Sequence, residues 1–274
     1  MQPFPYPEPI TSPANPRVKR LVRLRERRER DETSLFLIEG YRELRRALAG
    51  GVEVVELYCC PALYLGENEP GLVEAAAGAG AEVISLAEAP FRKASYRDRP
   101  EGLLAVARQF PTGLERLHPG PDPLLLVVEA IEKPGNLGTM LRTAEAAGAE
   151  AVVVCDPATD PFNPNVVRAS LGTLFSVPLF VGDTPGAIAR LRELGIRTVA
   201  TTPSASMPHW EADLTGPLAV LVGSEQYGLS DAWLAAADRK VVIPMPGSVD
   251  SLNAAMAAGI VLFEAVRQRA VAPG

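Results

Sequence analysis

The second half of the chain repeats one pattern. A short, continuously apolar run ends in a polar turn rich in Gly or Pro, and a helical segment follows. The runs are 124–129 (LLLVVE), 151–155 (AVVVC), 178–181, 198–201, 218–222 (LAVLV) and 240–243. A strand with one wet face alternates apolar and polar residues, whereas a strand without alternation is buried on both faces. Helical segments separate the runs at 137–147, 165–172, 185–194, 230–236 and 252–269. That order demands a parallel sheet with helices on both sides. Ligands of such sheets bind in the crevice outside the carboxyl ends of the strands.

Three turns at strand ends carry the polar groups for such a site. They are Pro134-Gly135-Asn136-Leu137-Gly138 leading to Arg142, Gly223-Ser224-Glu225-Gln226-Tyr227-Gly228, and Ile243-Pro244-Met245-Pro246-Gly247 leading to Ser251-Leu252-Asn253. Neither Gly135-x-x-Gly138 nor Gly223-x-x-x-x-Gly228 meets the G-x-G-x-x-G dinucleotide fingerprint, and no G-x-x-x-x-G-K-[ST] phosphate loop is present. The only histidines are His118 and His209, which argues against His-ligated zinc and against Ser-His-Asp catalysis.

The first half reads differently. Residues 1–14 are Pro-rich and irregular. Asn15-Pro16 is a helix start, with Asn as N-cap and Pro at the first helical position. One helix is predicted over 16–30, with Val18, Leu21 and Val22 as its apolar stripe. Its other faces carry Arg20, Arg23, Arg27 and Arg28 among further arginines. These could neutralise RNA phosphates. Glu26, Glu29, Asp31 and Glu32 dilute the charge, so a solvated helix face fits equally well. Strands at 34–38, 52–59, 82–85 and 103–107 and helices at 41–49, 71–79 and 86–94 complete an α/β domain over 1–110. Residues 111–123, with their prolines and glycines, form a linker by composition. The second domain is 124–274.

Charge divides along the same line. Net charge is −6, yet residues 1–110 hold 16 basic and 16 acidic residues, so the whole acidic excess lies beyond them. Two domains with different tasks are expected. No apolar run reaches the ~18–20 residues of a membrane span, and no signal peptide pattern opens the sequence. Three cysteines, two of them adjacent, suit a reducing compartment and give no metal-ligand spacing. A cytoplasmic protein with no membrane and no metal partner is expected.

The stretch Asn136-Leu137-Gly138-Thr139-Met140-Leu141-Arg142, then Leu221-Val222-Gly223-Ser224-Glu225 with Gly228-Leu229-Ser230, then Ile243-Pro244-Met245 with Gly247 and Ser251-Leu252-Asn253, and last the run 259–269, resembles the three motifs of the SpoU (TrmH-type) family of RNA ribose 2′-O-methyltransferases. The last run is especially similar to bacterial 23S rRNA guanosine ribose methyltransferases. The resemblance covers about 124–269. More weakly, Ser12 to Lys19 and Phe36-Leu37-Ile38-Glu39-Gly40 resemble the L30e-like RNA-binding domain often fused ahead of that catalytic domain. Lys133 departs from the family, many of whose members have an acidic residue before the motif proline.

The resemblance implies an N-terminal L30e-like α/β domain and a C-terminal parallel-sheet α/β domain tied in a deep trefoil knot, which general topology rules would never suggest. It implies a homodimer, S-adenosylmethionine as cofactor and RNA as substrate. Catalytic positions would be Asn136, Arg142, Glu225, Ser251 and Asn253, with cofactor contacts at Gly223, Ile243 and Leu252. Arg168 matches a basic position that could hold phosphate. A guanidinium has a pKa above ~12 and is a poor base, so Arg142 would instead bind phosphate, orient the hydroxyl or stabilise the forming alkoxide. The two-domain layout favours rRNA. A tRNA enzyme and a non-catalytic RNA-binding assembly factor on the same scaffold remain as alternatives.

Overall fold

The computed structural model describes residues 4–248 and 251–271. The first three residues of the Pro-rich arm, two residues of the third motif turn (249 and 250) and the last three residues lie outside that description. The helices are α1 Pro16–Arg23, α2 Arg27–Thr33, α3 Tyr41–Ala49, α4 Glu69–Gly78, α5 Glu88–Ala94, α6 Pro134–Ala146, α7 Pro164–Ser170, α8 Thr184–Glu193, α9 Asp231–Ala236 and α10 Ala254–Val271. The strands are β1 Leu35–Glu39, β2 Val54–Cys59, β3 Glu82–Ser85, β4 Leu103–Arg108, β5 Leu124–Glu129, β6 Ala151–Cys155, β7 Leu179–Gly182, β8 Arg197–Thr201, β9 Leu218–Val222 and β10 Arg239–Val241.

The chain divides into two compact units. The first comprises Met1–Phe110 together with Asp160–Ser176, and the second comprises Pro111–Thr159 and Val177–Gly274. The first unit is built on a four-stranded sheet in the order β1-β4-β2-β3. β4 runs antiparallel to both β1 and β2, and β3 runs parallel to β2. Val18, Leu21, Leu24, Leu37, Tyr58, Phe91, Leu104 and Val106 fill one core. The inserted segment belongs here because its aromatic residues need this surface. Phe36 of β1 stacks against Phe162 at 5.0 Å and against Phe175 at 6.1 Å. Gly172 has φ +86°, and a Cβ there would stand 2.9 Å from the Arg46 side chain, so α3 and the turn after α7 pack at backbone distance.

The single helix expected over 16–30 is two. Asn15 caps α1 by accepting from Arg17 N at 2.9 Å, as read from the sequence. The helix then stops at Leu24, and α2 begins at Arg27. Long-range bonds account for the break. The Arg25 guanidinium donates to the carbonyls of Lys93, Ala94 and Ser95 at the end of α5, at 2.6–2.9 Å. Arg30 turns inward and pairs with Asp160 at 2.6 Å, with 1 % of its surface exposed.

The second unit holds a six-stranded sheet in the order β10-β8-β9-β5-β6-β7, and every pair is parallel. Its core of Leu125, Val127, Val153, Cys155, Leu221 and Trp233 lies between sheet and helices. The chain builds β5, β6 and β7 outward in one direction. It then returns to lay β8, β9 and β10 on the other side of β5. The strand order therefore reverses at the β5–β9 pair, the kind of switch point beside which ligands of such sheets bind. All three cysteines are buried, and burial raises the Cys59 thiol to about 12.

Candidate active site

The first motif is not a free turn. Pro134 occupies the first position of α6, where its missing N–H costs nothing, so Pro134-Gly135-Asn136 forms the opening turn of the helix. The second motif folds back on itself. Ser224 N donates to Gly228 O and Gly228 N to Ser224 O, both at 3.0 Å, and Tyr227 N donates to Ser224 Oγ at 3.1 Å. Buried Glu129, at the end of β5, accepts from Ser230 N at 2.7 Å and from Thr184 Oγ1 at 2.8 Å, which fixes the far end of that turn. The third motif ends at Asn253, whose Oδ1 accepts from Ala255 N at 3.0 Å and caps α10. Ser251 lies two residues earlier and is exposed.

Hydrogen bonds join the three motifs. Asn136 Nδ2 donates to Glu225 Oε1, and Asn253 Nδ2 donates to Asn136 Oδ1 at 3.1 Å. Residues from the start of α6, the turn after β9 and the cap of α10 thus form one chain. The second carboxylate oxygen of Glu225 is buried and has no partner among the described residues. An unpaired buried acceptor is costly unless a donor arrives, so this oxygen is a point of attachment for a ligand or substrate group.

Glu225 also lines a cavity of about 500 Å3 at the carboxyl ends of β8 and β9. That volume falls within the ~300–1,000 Å3 of small-molecule sites. Gly223, Ile243, Ser251 and Leu252, all expected at the site, contribute to its wall. So do Thr201, Thr202, Pro203 and Ser204, which sequence reading missed. The signal was available: 198–201 is an apolar run ending in a polar, Pro-containing turn, like the three motifs. Thr201 Oγ1 is buried without a partner among the described residues, a second open hydrogen-bonding position in the wall.

Gly223 also has a structural constraint of its own. A Cβ there would fall inside the backbone of Gly228 and Leu229, so the glycine admits the chain's own turn. Gly223→Ala should therefore distort the 224–228 turn and weaken ligand binding in the cavity at least about tenfold, the scale of one lost hydrogen bond or more. Titration calorimetry of that variant checks it.

Arg142 is not part of the hydrogen-bonded chain. It is exposed and, among the described residues, makes no hydrogen bond or ion pair. Six residues of α-helix place it about 120° around α6 from Asn136, which explains why Asn136 bonds to Glu225 and Asn253 instead. Arg168 sits on α7 in the first unit and donates to Asn165 Oδ1 at 3.2 Å. The arginines of the split helix have acidic partners. Arg20 pairs with Glu56, Arg23 with Glu29 at 3.3 Å, Arg27 with Asp31 at 3.5 Å and Arg28 with Glu32 at 2.7 Å. Each of these four guanidinium groups thus stands beside a carboxylate.

A sequence model of the SpoU rRNA Methylase family matches residues 123–263, and one of the MRM3-like substrate binding domain matches residues 15–105. The chain is 31% identical to the 23S rRNA (guanosine(2553)-2'-O)-methyltransferase of Bacillus subtilis over 255 residues, covering 93% of this chain and 97% of that protein. A crystal structure of an RNA 2'-O ribose methyltransferase superposes with a TM-score of 0.84 at 43% identity, covering 96% of this chain and all of that one. The SpoU methyltransferase AviRb from Streptomyces viridochromogenes, solved in complex with AdoMet, superposes with a TM-score of 0.85 at 32% identity, covering 94% of this chain and 100% of that one.

Proposed function

Since this chain belongs to the SpoU rRNA methylase family, we propose that it transfers a methyl group from S-adenosylmethionine to a ribose 2′-hydroxyl of RNA, with ribosomal RNA as its substrate class. The observation that carries this reading is the Asn253–Asn136–Glu225 chain beside the cavity, because it joins all three family motifs at one place.

The cavity suits the cofactor. Its volume is adequate, its wall is half apolar through Ile243, Leu252 and Leu234, and Thr201 Oγ1 and Glu225 Oε2 offer two unsatisfied polar atoms. Thr201, Ile243, Leu252 and the 223–228 turn would hold it. When bound, S-adenosylmethionine supplies a methyl group on a positively charged sulfur, activated for displacement. The protein must present a ribose hydroxyl to that group at near-attack distance, ~3–3.5 Å, and support loss of the hydroxyl proton. Asn136 and Asn253 fix Glu225 in place, and Glu225 presents an acceptor to the incoming substrate. Arg142 supplies a cationic fork with no partner among the described residues, suited to an RNA phosphate or a forming alkoxide.

The first unit, which contains the substrate-binding match, is proposed to hold the RNA. A cytoplasmic setting follows from that substrate. We further propose that the second unit is knotted as the resemblance implies, and that the protein is a homodimer. Support for the dimer comes from α10. Met256, Ile260 and Phe263 recur at helical spacing, and Met256 and Phe263 are 61 % and 49 % exposed. An apolar stripe left facing water on a surface helix marks an interface. Met256→Glu combined with Phe263→Glu should convert the protein to a monomer by light scattering.

The activity is tested by incubating the protein with methyl-labelled S-adenosylmethionine and unmodified 23S rRNA, then mapping ribose methylation by primer extension. Label at a single 2′-oxygen is expected. Cofactor and RNA binding without transfer would instead establish a non-catalytic scaffold.

A further inference from the structure

The arginines of the first unit fall into two groups. Those of α1 and α2 bind neighbouring carboxylates, including Arg17 with Glu82 at 2.8 Å and buried Arg30 with Asp160. A second group has its charge free. Arg42 on α3 and Arg99 in the loop before β4 are exposed and form no hydrogen bond or salt bridge among the described residues. Arg168 on α7 makes only the one bond to Asn165.

These three residues line one open groove of about 670 Å3, enclosed entirely by the first unit. Its walls are held firmly. Arg97 donates to Glu39 O at 3.0 Å and to Glu43 at 2.7 Å, and also bonds Glu101. Glu39 accepts from Tyr96 N at 2.8 Å, and Asn165 Nδ2 donates to Tyr96 Oη at 2.7 Å. The loop 96–101 is thereby tied to β1, α3 and α7. Arg97 answers the carboxylates of Glu43 and Glu101. Asp98 is the third carboxylate of the groove, so its four arginines stand against three acidic side chains and leave one net positive charge, with Arg42, Arg99 and Arg168 in no ion pair among the described residues. Tyr41 adds an aromatic edge. A fixed positive groove with an aromatic wall is the arrangement that tracks a nucleic-acid backbone.

We propose that this groove, between the start of α3, the loop 96–101 and α7, holds backbone phosphates of the substrate RNA through Arg42, Arg99 and Arg168. The proposal rests on the reading of the first unit as the RNA holder, and it moves the contact away from the α1–α2 arginines. It also gives the inserted segment Asp160–Ser176 a purpose: it brings Arg168 to a surface whose other cations lie more than sixty positions earlier in the chain.

The test compares two full-length variants binding an unmodified 23S rRNA transcript across 50–200 mM KCl. Arg42→Ala/Arg99→Ala/Arg168→Ala should lower affinity at least tenfold and flatten the plot of log affinity against log salt by about two units, each lost phosphate contact removing roughly 0.7–0.9. Arg20→Ala/Arg23→Ala/Arg27→Ala/Arg28→Ala should leave the slope near that of the unaltered protein. An unchanged circular dichroism spectrum and an unchanged urea unfolding midpoint show that the variants are folded. The triple Arg→Lys variant should restore the slope, because charge and not shape sets it. If the groove variant binds normally while the α1–α2 variant fails, the proposal is overturned and the first unit still holds the RNA. If both bind normally, the proposal falls together with the reading of the first unit.

Discussion

Arg142→Ala should reduce single-turnover methylation by about 10²–10³, the cost of removing one preorganised stabiliser of developing charge, while S-adenosylmethionine affinity stays unchanged. Two observations carry this expectation. Arg142 has no hydrogen bond or ion pair among the described residues, in a chain whose arginines are mostly paired, so its removal breaks nothing in the resting fold. It also lies outside the lining of the cavity, so cofactor binding does not depend on it. Arg142→Lys should fail nearly as badly, because an ammonium cannot offer the planar two-pronged donor that a phosphate or alkoxide meets in arginine. Rapid-quench kinetics on 23S rRNA with calorimetry on the same samples separates the effects. A near-normal transfer rate in Arg142→Ala would refute the assignment.

The largest effect on stability is expected at Arg30. Its guanidinium bonds Asp160 at 2.6–2.8 Å and the carbonyls of Leu24 and Arg25 at 3.0 and 2.6 Å. Asp160 is 9 % exposed, and its other oxygen accepts from Phe162 N at 2.8 Å. Arg30→Ala strands a buried carboxylate and two carbonyls. A penalty of about 3–5 kcal/mol is typical of breaking such a pair from one side. Arg30→Met with Asp160→Leu should recover much of it, since two apolar side chains remove the unpaired charge altogether. Urea denaturation of the three proteins measures both values. A loss below about 1 kcal/mol for Arg30→Ala would mean that the pair behaves like an exposed one.

What the sequence made legible followed from local rules. Residues 124–128 and 218–222 are apolar without interruption, and both form central strands of the parallel sheet. Asn136, Glu225 and Asn253 sit at strand ends and a helix cap, and they meet. The misses share a cause in contacts distant along the chain. Nothing within 16–30 marks a break at Leu24, because the groups that attract Arg25 and Arg30 are at 93–95 and 160. Nothing in 160–176 says that Phe162 and Phe175 pack on Phe36. Nothing around Gly223 says that the 228–229 backbone closes on it, because that approach depends on the path of the turn. Thr201 was missed for a simpler reason: its strand end resembles the others, and only the cavity shows that it belongs with them.

The assignment of Asp160–Ser176 to the first unit has a consequence for how the protein is made. A ribosome delivers Met1–Phe110 complete, with its sheet able to pair, yet one face of β1 has no cover. The missing piece emerges about fifty residues later, a delay of several seconds at ~5–20 residues per second. Throughout that interval Phe36 faces solvent or a chaperone. Synthesis of the first unit is therefore finished only after the whole of β5, α6 and β6 has been made. Cutting the gene in the linker at 111–123 would give two products, each lacking or carrying a segment that belongs to the other. Fragments intended to separate RNA binding from chemistry would have to exchange that segment to fold.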